Sequence, residues 1–303
     1  MFGYRADGRR IRGMDPIVSL TPYIMPRRYD AQVQIRHNLD FDVMTRYIRE
    51  KREQGHNVTY MGLLLAAYVR TVSQYPELNR FIMNRQLYAR NHICVSFVTL
   101  KKGTGDDRIE ESLVKLMFEP DETVFEVTDK LEAAIEENRK ATEANLTEGV
   151  ARFLLAVPLL PGIVVMLGRL LDRYGLLPSL IHRASPFHTS LFISNMASIG
   201  MGYIYHHIYD FGTTSVFVSM GRTEQEVRLN GDGSPRSRRI MPLGTVVDER
   251  ICSGGEYARA FGYLRSILAH PEQLETRPEV VKTEMRPSRR RRRRDADKYQ
   301  INA

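Results

Sequence analysis

The stretch Met241-Pro242-Leu243-Gly244-Thr245-Val246-Val247-Asp248-Glu249-Arg250-Ile251-Cys252-Ser253-Gly254-Gly255 contains four parts with different physics. Residues 242–247 are β-rich. They stop at a charged triplet, Asp248-Glu249-Arg250. A Ser253-Gly254-Gly255 turn follows and opens an amphipathic helix that runs to about Leu268. A strand that ends in a charged corner and turns into a helix holds side chains rigidly over a cleft. The triplet is therefore where chemistry is expected first.

The rest of the chain supplies the frame for that corner. Asn230-Gly231-Asp232-Gly233-Ser234-Pro235 is a hairpin-loop signal between strands at 226–229 and 240–247. Residues 31–35, 93–98, 112–118, 191–194 and 215–220 read as further strands, with 81–100 holding two or three around an Asn84-Arg85 turn. Asp40 or Asp42 caps a helix that Gly55 ends, and Thr59 caps the next, which Pro76 stops. That second helix is apolar nearly all round and is expected to be buried. A long charged helix starts at Pro120-Asp121 and reaches about Arg139. Residues 1–26, with Pro16, Pro22 and Pro26, read as an extended arm. Strands and helices mix without strict alternation. The pattern predicts an α/β two-layer sandwich, a mixed β-sheet covered by helices, rather than a Rossmann fold. No Gly-rich phosphate loop follows any strand.

Five short segments, in this order, resemble the chloramphenicol acetyltransferase-like superfamily, closest to the 2-oxoacid dehydrogenase acyltransferase catalytic domain. They are Arg28-Tyr29-Asp30, Tyr75-Pro76-Glu77-Leu78-Asn79, Leu191-Phe192-Ile193-Ser194-Asn195, Val216-Phe217-Val218-Ser219-Met220-Gly221 and the opening stretch itself. The resemblance covers about residues 30–275. The family motif at the corner is Asp/His-His-x-x-x-Asp-Gly; its second His is the general base, and its Asp orients a structural Arg. Here Glu249 stands where the base belongs, Ser253 where the Asp belongs, and Gly254 matches.

The resemblance implies a homotrimer with its site between subunits, the base of one facing a pocket of the next. It implies coenzyme A or a related acyl-thioester as substrate, with no tightly bound cofactor. Ser194 matches the serine that hydrogen-bonds the oxyanion of the tetrahedral intermediate. The sequence read carries no lipoyl or subunit-binding domain. A role other than the ordinary component of a 2-oxoacid dehydrogenase complex is expected.

The substituted base decides what chemistry remains. An unperturbed Glu ionises near about 4.3 and a thiol near about 8.5, so proton transfer is uphill by about 6 kcal/mol. Burial closes part of that gap, so Glu249 acts as a base only in a dry site. The competing reading pairs Glu249 with Arg250, Arg27 or Arg28. Ser253 in place of Asp means that the usual Asp–Arg pair is expected to be missing. His206 and His207 are alternative proton acceptors, and Ser194 has a competing role as a strand-end hydroxyl. Asp248, Arg250, Ser253 and Gly254 are read as structural near the site. Cys252 reads as a small apolar filler. Two functions stay open: acyl transfer to an unknown acceptor, or a catalytically inactive trimer that binds or scaffolds.

Composition bounds the remainder. The 303 residues are 43% hydrophobic, enough for a sizeable core. Two cysteines, no signal peptide and no Cys/His group at zinc spacing suggest a cytoplasmic protein with no expected metal. The formal net charge is +8, yet residues 277–303 hold ten Lys+Arg against four Asp+Glu, or +6, chiefly at Arg289–Arg294. That run reads as a solvated tail with a weak polyanion or membrane-surface contact, not a specific nucleic-acid reader. The expected organisation is an arm (1–26), a catalytic-type domain (27–275) with an apolar insertion at about 150–185, and a basic tail (276–303). Within the insertion, residues 153–168 lack charge. They form a helical pair over the sheet, a lid or acyl-chain pocket, or an interfacial membrane contact.

Overall fold

The structure, a computed structural model, describes residues 5–102, 109–140, 156, 159–284 and 299–301. Its centre is a mixed sheet. The strands are β2 (Gln32–Asp40), β5 (Ile93–Lys102), β6 (Ile109–Phe118), β7 (Leu191–Asn195), β8 (Val216–Met220), β9 (Glu224–Leu229) and β10 (Pro235–Asp248). They run in the order β2-β10-β8-β7-β5-β6, with β9 paired to the first half of β10. β5, β7 and β8 are mutually parallel, and the other pairs are antiparallel. Strand β10 starts earlier than its pattern predicted, because 235–240 pairs with β9 beyond the sheet body.

One face of the sheet carries the main core. Helices α2 (Phe41–Glu53), α3 (Tyr60–Gln74), α4 (Val124–Lys140) and a C-terminal helix Gly254–Ala269 pack on it. Caps fall where the sequence put them: Asp40 accepts from the amides of Asp42 and Val43, and Thr59 from that of Gly62. Asn84 and Arg85 take positive φ, 49° and 59°, at the tight turn between β3 (Arg80–Met83) and β4 (Gln86–Arg90).

Residues 203–212 cross the opposite face, over a smaller cluster of Phe192, Ile208, Phe217 and Val246. Gly244 permits the crossing: a Cβ there would lie 2.2 Å from the Ile204 carbonyl oxygen. Ser219 pins the same point, its Oγ accepting from the Ile204 amide at 3.0 Å.

The arm is not extended throughout. Strand β1 (Gly8–Arg10) pairs antiparallel with 88–90, and helix α1 (Pro16–Ile24) follows, capped by Asp15. Pro16 sits in the first turn, where a missing N–H costs nothing.

The insertion also differs from one of its expectations. It forms α5 (Leu160–Arg173) and α6 (Ser179–Ala184), but they are not a helical pair laid over the sheet. Asp172 is the one buried residue of α5, and Ile163, Met166 and Leu167 are exposed. Part of 153–168 and all of Arg289–Arg294 lie outside the described residues. Among the described residues, no helix is long and apolar enough to cross a membrane.

Candidate active site

The corner after β10 is built around Asp248, which is fully buried. Arg250 grips it with both ends of its guanidinium, Nε to Oδ1 at 2.8 Å and Nη2 to Oδ2 at 2.7 Å. Arg28 approaches the same carboxylate at 3.6 Å. Burial lowers the Arg28 pKa, and Asp248 works against that loss. The two arginines also tie in the neighbours. Arg250 donates to the Met25 carbonyl at 2.9 Å; Arg28 donates to those of Tyr209 and Gly212 at 2.6 and 3.1 Å. One buried carboxylate thus fixes the arm, the crossing segment and the end of β10 together.

This arrangement corrects two expectations. Arg28 and Arg250 pair with Asp248, and Arg27 donates to the Tyr29 hydroxyl, so none of the three takes Glu249. An Asp–Arg pair does form, with Asp248 rather than position 253 supplying the carboxylate. Ser253 is the N-cap of the C-terminal helix, hereafter α7 (Gly254–Ala269), in a capping box with Glu256. Gly254 is the first residue of that helix. Cys252 is buried, and desolvation raises its thiol pKa, as suits a filler.

Glu249 is exposed, its amide bonded to the Ala31 carbonyl at 2.9 Å. Its side chain sits on the helix-covered side of the sheet, at one end of a groove between β2 and α7. Val33, Ile35, Val247, Ala258 and Phe261 give the groove apolar walls, and the cavity measures about 330 Å³. His37 and Arg265 line it too. His37 was not singled out from the sequence, although the alternation of Val33, Ile35 and His37 places all three on one strand face. Its ring lies 4.7 Å from Phe261, and its Nε2 is buried without a hydrogen-bond partner. Burial, helped by the charge of Arg265, holds its pKa down to about 4. The ring is therefore neutral at pH 7, with a free lone pair.

Ser194 lies elsewhere. It is half-buried at the end of β7, and its Oγ donates to Met196 Sδ at 3.2 Å. Across the sheet it is level with Ser219 and Gly244. Glu249 is five residues beyond Gly244, about 17 Å along the strand, and on the other face. One chain does not bring Ser194 and Glu249 together.

His206 is on Ser194's face. Its ring stacks on Phe217 at 4.2 Å with an interplanar angle of 2°, and Phe217 is level with Phe192. Nδ1 lies 2.9 Å from the His207 carbonyl. A carbonyl only accepts, so Nδ1 carries a proton; in the neutral ring Nε2 is the acceptor. His207 is exposed.

A second, larger opening lies between α5 and the body. It measures about 880 Å³ and sets Arg27, Arg85, Arg169 and Arg173 against Val165 and Leu170.

The sequence matches no known family profile and no curated protein. Its folded shape does match solved structures. The core of a pyruvate dehydrogenase multienzyme complex, described as cubic, superposes with a TM-score of 0.53 at 12% identity, over 88% of this chain and 94% of that one. A probable dihydrolipoamide acetyltransferase from Listeria monocytogenes gives 0.52 at 11% identity, over 88% and 95%. A truncated catalytic core of the 2-oxoacid dehydrogenase complex from Thermoplasma acidophilum gives 0.51 at 14% identity, over 87% and 99%. The chain has the chloramphenicol acetyltransferase-like fold. The match extends over most of this chain and nearly all of each solved structure. Identity this low establishes fold alone.

Proposed function

We propose that this protein transfers an acyl group from coenzyme A or a related thioester, at a site completed between copies of the chain in a homotrimer. The single observation that carries this reading is the placement of Glu249. A rigid corner, anchored by Asp248, Arg28 and Arg250, presents its carboxylate at the end of an apolar groove. In the isolated chain the carboxylate faces water. A neighbouring copy laid over the edge strand β2 would exclude that water and bring its own Ser194 as oxyanion donor. Glu249 would then take the proton from the acceptor thiol or hydroxyl as it attacks the thioester; the C–S bond would break, coenzyme A would leave as its thiol with the proton returned from Glu249, and the apolar groove would hold the acyl chain.

The test is release of coenzyme A itself, separated from its acyl thioester, from a panel of short- to long-chain donors with candidate acceptors present or absent, and with Glu249→Gln beside the parent protein. Loss of at least about 100-fold in rate, with the fold retained, is expected for a general base. Turnover unchanged in Glu249→Gln overturns the assignment.

His206 is the second reading, favoured by its acceptor Nε2 on Ser194's own face. His206→Gln would then abolish release while Glu249→Gln leaves it intact. A trimer that binds the thioester without turning it over would show saturable binding and no release from any donor.

A further inference from the structure

Away from the groove, a buried polar cluster joins the N-terminal segment to the insertion. Asp172 of α5, His182 of α6 and His188 before β7 each offer a ligand atom, and the three atoms lie within 4.8 Å of one another. Asp7 adds a fourth, its Oδ2 3.5 Å from His182 Nδ1. All four residues are buried. His182 stands out among them: it is 4% exposed, and neither ring nitrogen has a hydrogen-bond partner. An orphaned buried imidazole costs about 1–3 kcal/mol.

We propose that Asp7, Asp172, His182 and His188 form a structural site for a divalent transition-metal ion, zinc being the best fit. Two of the contacts have the spacing of neighbouring ligands in tetrahedral coordination. Zinc bonds of about 2.0–2.1 Å place neighbouring donors about 3.3 Å apart. His188 Nε2 is 3.1 Å from Asp172 Oδ2, and His182 Nδ1 is 3.5 Å from Asp7 Oδ2.

The surroundings orient these donors. Arg5 binds both carboxylates, Nε to Asp7 Oδ1 at 2.9 Å, Nη2 to Asp7 Oδ2 at 3.3 Å and Nη2 to Asp172 Oδ1 at 2.5 Å. Asp172 Oδ2 is thereby turned toward His188. Ser185 Oγ lies 2.8 Å from His188 Nδ1, the outer contact that frees Nε2 for a metal. Lys115 donates to the carbonyls of His182, Ser185 and His188 at 2.7, 2.9 and 2.6 Å, which fixes the loop holding both histidines. Imidazole donors favour zinc over magnesium or calcium. Sequence spacing gave no sign of the site, because its ligands come from residues 7 and 172–188.

The test uses the full chain, stripped with a chelator and titrated with Zn2+ and Co2+. The expected result is one ion per chain, an intense tetrahedral Co2+ visible band, and a melting temperature that falls on chelation and recovers with Zn2+. His182→Gln should weaken Zn2+ binding by about 100-fold or more. Binding that folded His182→Gln leaves intact overturns the proposal. If that variant fails to fold, the parent alone decides: no stoichiometric ion, a weak octahedral Co2+ band, or a chelator-insensitive melting temperature each overturns it.

Discussion

At the scale of single residues, the sequence put Glu249 at a strand-to-helix corner and Ser194 at a strand end, but not their surroundings. Their positions were legible because both lie in short runs whose strand and turn character is local. His37 was not, because its meaning depends on α7 packing over it from more than 200 residues away. The same ring gives a pH prediction. Its folded pKa, about 4, lies below the free imidazole value of about 6.5, so folding favours the neutral form. The stability this contributes is complete above pH 6.5 and is lost as pH falls toward 4, where the unfolded chain binds the proton first. His37→Phe keeps the ring stacked on Phe261 and removes the titration. Its melting temperature should fall less steeply between pH 7 and 5 than the parent's, and an identical slope would contradict the assignment.

At the scale of elements, local signals served well. Caps at Asp40 and Thr59, the Asn84-Arg85 turn and the strand periods all lie within a few residues of what they specify. The exceptions have non-local causes. The arm is ordered by Gln86–Arg90 offering an edge to Gly8–Arg10, and by Arg250 reaching the Met25 carbonyl. The charge-free run 153–168 suggested a helical pair over the sheet, a lid or acyl pocket, or a membrane contact, yet α5, which holds its second half, buries only Asp172. The corner shows how far one buried carboxylate can organise its neighbours. Asp248→Asn leaves two buried guanidiniums without their counter-charge. It should cost roughly 3–5 kcal/mol in chemical denaturation, the usual loss when one partner of a buried pair is removed. A loss below 1 kcal/mol would mean that the three elements are held together by other contacts.

At the scale of the whole molecule, the fold was legible from five motifs in order, and the site was legible only in part. Glu249 and Ser194 occupy opposite faces of one sheet, about 17 Å apart along the strand. No reading of one chain can place them in one site, whereas an assembly of copies can. The most direct measurement is therefore complementation. Glu249→Gln and Ser194→Ala would be purified separately, then dissociated and reassembled together, and thiol release from the preferred acyl-coenzyme A measured. The account predicts that each variant alone is inactive and that the mixed assembly regains a substantial fraction of parental turnover, from interfaces pairing an intact Glu249 with an intact Ser194. Mixed assemblies as inactive as either variant, beside a reassembled parent that is active, would contradict it.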